Sequence, residues 1–107
     1  MKIKDTDLNL FIAFDVIYTE KNLTKSGQVL GITQPAVSNA LARLRDLFND
    51  ELFIRTSRGM IPTPVANQLI GDIRNALSLI QNTISVSEKF DPSTAEMTFK
   101  ISIGDTS

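Results

Sequence analysis

Cysteine, histidine and tryptophan are absent from this 107-residue chain, and glycine and proline number only five and four. The first two absences remove whole classes of chemistry. Without thiols there is no disulfide and no thiolate nucleophile; without imidazole there is no Ser–His–Asp triad and no histidine proton shuttle. Cys/His metal sites go with them. No apolar run reaches the ~18 residues that a membrane span needs. The start, Met1-Lys2-Ile3-Lys4-Asp5, leads into an apolar stretch broken by Asn9 and Asp15, a poor export signal. A cytoplasmic, cysteine-free chain with no membrane contact is the expectation.

Carboxylates remain as catalytic candidates, yet Asp5, Asp7, Asp46, Asp50 and Glu51 sit near expected helix ends, where capping and solvation account for them. No convergent pair, glycine-rich phosphate loop or metal-ligand spacing is seen. The chain is therefore not expected to be an enzyme, and no catalytic residue, metal or cofactor is assigned. An apolar content of 42% is enough for one compact domain plus an extended element.

The net charge of −1 and pI near 5.3 argue at first against nucleic acid. The distribution argues otherwise. Residues 21–60 carry six Lys/Arg against three Asp/Glu, a local +3, while 1–20 and 61–107 each come out at −2. The cluster is Lys21, Lys25, Arg43, Arg45, Arg55 and Arg58. So small an excess implies a modest phosphate contribution, and affinity then relies on doubling the site in a dimer.

That basic segment is centred on Thr33-Gln34-Pro35-Ala36-Val37-Ser38-Asn39, the start of a helix ending near Asn49. Thr33 is suited to cap the first free N–H groups, and Pro35 sits in the first turn, where a missing N–H costs nothing. Val37, Ala40, Leu41, Leu44, Leu47 and Phe48 share one arc and pack inward. Gln34, Pro35, Ser38, Asn39, Ala42 and Arg45 share the other. An ordinary solvated face would carry Glu and Lys; short amide and hydroxyl groups suit base edges in a DNA major groove.

Before it, a first helix over 7–20 buries Leu10, Phe14 and Ile17, and a short helix Leu23–Leu30, capped by Asn22, stops at Gly31. Gly27 inside that helix implies a close approach. Short helix, tight turn and second helix make a helix-turn-helix, with a generic helical hairpin as the alternative. After it, Leu52-Phe53-Ile54-Arg55 and Met60-Ile61-Pro62 flank Thr56-Ser57-Arg58-Gly59 as a hairpin with Arg58 at its tip. Beside a recognition helix this reads as a wing able to place an arginine in a minor groove; alone it would be a solvated turn arginine.

Thr63-Pro64 opens the longest helix, about 64–87, in which Ala66, Ile70, Ile73, Leu77, Ile80 and Ile84 form a coiled-coil seam beside Val65, Leu69, Ala76 and Leu79. So wide an apolar face is expected to meet its copy in a second chain; a helix folded back on its own domain is the competing reading. Beyond Phe90-Asp91-Pro92, the alternation Thr98-Phe99-Lys100-Ile101-Ser102-Ile103-Gly104 reads as a strand with no sheet to join.

These residues resemble the N-terminal DNA-binding domain of LysR-type transcriptional regulators. The likeness rests on Gly31-Ile32-Thr33-Gln34-Pro35-Ala36-Val37-Ser38, then Leu52-Phe53-Ile54-Arg55-Thr56, Arg58-Gly59 and Thr63-Pro64, and covers roughly 6–90. Ser38-Asn39-Ala40-Leu41 and Met60-Ile61-Pro62-Thr63-Pro64 look closest to the branch of nodulation and aromatic-compound regulators. The resemblance implies a mainly α fold: a winged helix-turn-helix of three helices and a two-stranded wing, with a long C-terminal linker and dimerisation helix. It divides the chain into 1–63 (DNA-binding), 64–90 (linker) and 91–107 (a hinge and the first strand of an effector-binding domain lying outside this sequence). The implied partners are an interrupted palindromic operator in double-stranded DNA and a second copy bound through the linker helix. A tetramer in the full-length protein and a small effector held by the further domain complete the picture, placing the protein at a bacterial nucleoid.

Carried onto this sequence, Gln34, Pro35 and Ser38 take base- and phosphate-facing roles, Thr24 and Thr33 touch phosphates, and Arg58 is the minor-groove residue. Arg43 matches a common arginine whose role is either phosphate contact or structural pairing. Three departures from the family pattern involve four residues. Asn39 replaces a frequent arginine and favours adenine over guanine. Arg45 replaces a common glutamate, adding a phosphate contact and removing the usual ion pair. Ser26-Gly27 replaces a pair of alanines, weakening the second helix. A winged module that only assembles protein partners remains the alternative function, and the cluster Arg43, Arg45, Arg55 and Arg58 argues against it.

Overall fold

The computed structural model describes residues 6–90, with side chains described through 86. Its elements are α1 (Asn9–Glu20), α2 (Leu23–Leu30), α3 (Gln34–Phe48), β1 (Phe53–Thr56), β2 (Gly59–Pro62) and α4 (Pro64–Phe90). This is the winged helix-turn-helix with a long last helix expected from the sequence. The strand read at 98–104 and the hinge before it lie outside the described residues. The chain divides into two compact units, Met1–Arg74 and Asn75–Ser107, the division falling inside α4. None of the described helices is long and apolar enough to cross a membrane.

Local chemistry sets most helix ends in the first unit. Asn22 is extended and its side chain accepts the Lys25 N–H at 2.8 Å; Gly31 closes α2 at φ +74°. Thr33 Oγ1 accepts the Ala36 N–H at 3.3 Å, and Asn49 closes α3 at φ +52°. At the start of α1, Asp7 Oδ1 accepts the Asn9 N–H at 3.0 Å, which moves the first helical residue two places beyond the expected Asp7. Gly27 is where the helix-turn-helix closes up: a Cβ there would lie 2.7 Å from the Ile32 carbonyl oxygen and 3.4 Å from Val37 Cγ2. The close neighbours are the turn backbone and one α3 side chain.

Phe14, Ile17, Val37, Leu44, Leu52 and Phe53 are fully buried, and the Phe14 and Phe53 rings sit 5.3 Å apart, so α1, α3 and the wing root share one core. The wing is a two-stranded antiparallel ribbon with Ile54 opposite Ile61 and Arg55 opposite Met60. Its second strand is tied to the end of α1, where Met60 N–H donates to the Lys21 carbonyl at 2.9 Å. Gly59 needs to be glycine twice over: its φ is +110°, and a Cβ would lie 2.6 Å from that same carbonyl oxygen.

The first turns of α4, expected to belong to the dimerisation seam, pack into this core. Ala66, Ile70 and Ile73 are 0%, 9% and 7% exposed within the single chain. Little of their surface is left bare, and the compact unit that holds the winged elements runs on past residue 63 to Arg74. Polar contacts reinforce the packing: Tyr18 OH donates to Asn67 Oδ1 at 2.6 Å, and Arg74 donates to Asp15 at 2.7 Å and to Thr19 Oγ1 at 2.8 Å. In the second unit, Leu79, Ile80, Ile84 and Val86 are exposed.

Candidate nucleic-acid interface

The outer face of α3 is held out by what lies behind it. Val37, Leu41 and Leu44 are 0%, 2% and 0% exposed and lock the helix against α1, α2 and the wing root. On the far side Gln34, Pro35 and Asn39 are exposed and Ser38 is half-buried. The result is a short ridge of amide and hydroxyl groups on a rigid support, at the helix end whose free N–H groups carry partial positive charge. Thr33 is exposed and already engaged as the cap. Thr24 and Lys25 are exposed at the start of α2.

The wing supplies the second element. Thr56 Oγ1 accepts the Arg58 N–H at 3.1 Å and donates to the Gly59 carbonyl at 2.9 Å, which fixes the turn that carries Arg58. Arg58 and Arg55 are exposed, and their guanidinium groups make no hydrogen bond or ion pair among the described residues. A polar ridge on a buried support and a cationic wing turn in the same unit suit an anionic ligand whose edges display hydrogen-bonding groups.

The family model described as "Bacterial regulatory helix-turn-helix protein, lysR family" matches residues 8–67, which span α1 to the start of α4. The chain belongs to the LysR family. It is 47% identical over 102 residues to the HTH-type transcriptional regulator LeuO of Escherichia coli (strain K12), covering 95% of this chain and 32% of that protein. It is 43% identical over 105 residues to nodulation protein D 1 of Bradyrhizobium elkanii, covering 98% of this chain and 33% of the relative. The chain thus spans about a third of the length of these curated relatives. Among solved structures, Vibrio fischeri DarR in complex with DNA superposes with a TM-score of 0.71 at 25% identity, over 79% of this chain and 29% of that one.

Within this LysR-family unit, two of the expected contact residues are engaged elsewhere. Arg43 pairs with Asp7 at 3.7 Å across an exposed surface, so of its two anticipated roles the pairing is the one observed. Arg45, expected at a phosphate, is turned toward the wing root. Its Nε donates to the Glu51 carbonyl and its terminal NH2 to the Phe53 carbonyl, both at 2.7 Å, with Glu51 Oε1 at 3.6 Å. The reason lies between those two carbonyls. Leu52 has φ +64°, and Phe53 N–H donates to Glu51 O at 2.7 Å, a three-residue turn of the rare positive-φ hand. Two carbonyls flanking so tight a turn suit the planar fork of an arginine.

Asp50 completes the wing root. Its Oδ2 accepts the Leu52 N–H at 2.8 Å and the Thr63 hydroxyl at 2.7 Å, while Thr63 Oγ1 accepts the Ala66 N–H at 3.2 Å. Asp50 and Thr63 were legible only as an end-of-helix carboxylate and a helix opener; that they meet is a tertiary fact. Lys25, outside the expected contact set, is exposed next to Thr24 at the start of α2.

Proposed function

We propose that this chain binds double-stranded DNA sequence-specifically as a homodimer, serving as the DNA-binding part of a longer LysR-type regulator. The observation that carries the reading is the ridge of exposed Gln34, Pro35 and Asn39 with half-buried Ser38, backed by fully buried Val37 and Leu44, together with exposed Arg58 at the wing turn of the same unit. α3 enters the major groove by its first turns, where the Gln34 and Asn39 amides match the adenine edge. Thr24, Thr33 and Lys25 approach phosphates, and Arg58 enters the neighbouring minor groove. The family match supports this, as does the DNA complex of DarR.

Dimerisation falls to the distal half of α4. Ile80 and Ile84 are 54% and 41% exposed, with Leu77 half-buried before them and Leu79 and Val86 alongside. Large aliphatic groups bared along one helix are costly in water and are relieved by a second copy. A small effector bound by a further domain, and tetramers of the full-length protein, fit the greater length of the relatives and a cytoplasmic site of action.

Selection of duplexes from a randomised library, followed by titrations at several salt concentrations, tests the reading. The expected result is an enriched half-site repeated at a fixed spacing, bound with an affinity that falls linearly on logarithmic axes as salt rises. Enrichment of nothing, or salt-dependent binding equal on all sequences, overturns it.

A further inference from the structure

We infer that Arg45 is the positioning residue that fixes the wing against the recognition helix, and thereby sets how strongly the protein discriminates the sequence flanking its half-site. The inference rests on the DNA-binding reading above. Arg45 lies in the last turn of α3, on the same face as Gln34 and Ser38 but about three turns beyond Gln34. Its two 2.7 Å hydrogen bonds, to the carbonyls of Glu51 and Phe53, run from α3 to the root of β1. Other polar tethers of the wing among the described residues are Met60 N–H to the carbonyl of Lys21, Leu52 N–H and the Thr63 hydroxyl to Asp50, and Thr63 N–H to the Leu52 carbonyl. Asp50 N–H in turn donates to the Arg45 carbonyl, so the Arg45 side chain is the fork that reaches β1 itself from α3.

The segment that Arg45 holds is the one under backbone strain. Leu52 is a buried leucine at positive φ, and the Glu51 carbonyl accepts from both Phe53 N–H and Arg45 Nε. A residue at a sparsely populated backbone angle persists when its surroundings over-determine it. Releasing the Arg45 fork frees β1 to relax about that turn. Arg58, carried on the same ribbon, then shifts relative to the ridge of Gln34 and Asn39. A minor-groove contact depends steeply on where the arginine arrives, whereas Gln34 and Asn39 are carried on α3 itself. A phosphate-binding arginine and a clasping arginine also differ in kind: lysine replaces the first as a point charge and does not reproduce the second.

The test compares wild type, Arg45→Met, Arg45→Lys, Arg58→Ala and the Arg45→Met/Arg58→Ala double variant of the 107-residue chain. The probes are two fluorescein-labelled duplexes sharing the half-sites recovered by selection, one with A·T and one with G·C flanks. Amide exchange over residues 51–62 is followed in the DNA-free proteins. Both Arg45 variants are expected to speed exchange there and to weaken the A·T-flanked duplex about three- to tenfold, the worth of one hydrogen-bonded contact. They should match Arg58→Ala, leave the G·C-flanked duplex and the salt slope unchanged, and add nothing in the double variant. Should Arg45→Met not fold, Arg45→Lys carries the comparison alone. Unchanged exchange, equal losses on both duplexes, or a salt slope reduced by Arg45→Met and restored by Arg45→Lys would each overturn the inference while leaving the DNA reading intact. Failure of wild type to bind either duplex overturns both.

Discussion

The two halves of α4 continue one apolar seam into opposite surroundings. Ala66, Ile70 and Ile73 are buried in the winged unit, at 0%, 9% and 7% exposure, whereas Ile80 and Ile84 stand 54% and 41% exposed. The spacing of large aliphatics is the same on both sides of residue 74. Hydrophobic periodicity therefore says which side chains share a stripe and leaves open what covers it. The first half finishes a core begun by Phe14, Ile17 and Phe53; the second is left with area that water covers poorly. The exposed face of α3 makes a useful third term. It is just as bare, but its amides and hydroxyls are stable in water, so it needs no partner until a ligand arrives.

The largest expected effect follows from the buried half. Ile73→Ala should cost about 2–5 kcal/mol of unfolding free energy, the usual penalty for truncating a core isoleucine. Ile80→Ala, assayed by urea unfolding at a concentration where the protein is monomeric, should change stability by less than about 0.5 kcal/mol. In sedimentation it should nevertheless weaken self-association. Equal losses of stability at 73 and 80 would break the comparison between the two halves. Gln34→Ala extends the contrast to α3: unfolding stays within about 0.5 kcal/mol, while discrimination at one base position drops by about 1–3 kcal/mol. Titrations on matched and singly mismatched duplexes measure it, and a loss uniform over all sequences would contradict direct base reading.

How much of this was legible beforehand depends on how local the cause is. α2 and α3 fall where Asn22, Gly31, Thr33 and Asn49 put their ends, because capping acts within a few residues. The hairpin is found for the same reason: Gly59 and Pro62 are local statements. The ridge of Gln34, Ser38 and Asn39 follows from helical period alone. Arg45 does not. Its partners are main-chain carbonyls, which every sequence has, and a positive-φ leucine carries no signature in its side chain. The split of the α4 seam was hidden likewise, since it depends on how much core the preceding helices leave uncovered.

Thr63 sharpens the buried side of the comparison at a smaller scale. Its hydroxyl both caps the Ala66 N–H and donates to Asp50, inside the unit that Ala66 completes. Thr63→Ala should cost about 1–2 kcal/mol, the upper range for a lost cap. Thr63→Ser, which keeps the oxygen, should recover most of it in the same urea unfolding measurement.

The smallest effect is expected at Arg74, the last residue of the first unit. Its guanidinium donates to Asp15 at 2.7 Å and to Thr19, and lies 5.2 Å from the Tyr18 ring centre. The geometry is good, yet Arg74 and Asp15 side chains are 47% and 33% exposed, so water and salt screen the pair heavily. Arg74→Ala should therefore lower stability by less than about 1 kcal/mol, against several times that for Ile73 next to it. Most of the difference should vanish in 1 M NaCl, where screening reaches about 3 Å. A salt-insensitive loss as large as that of Ile73→Ala would mean that polar contacts, more than apolar burial, hold the first half of α4 to the core.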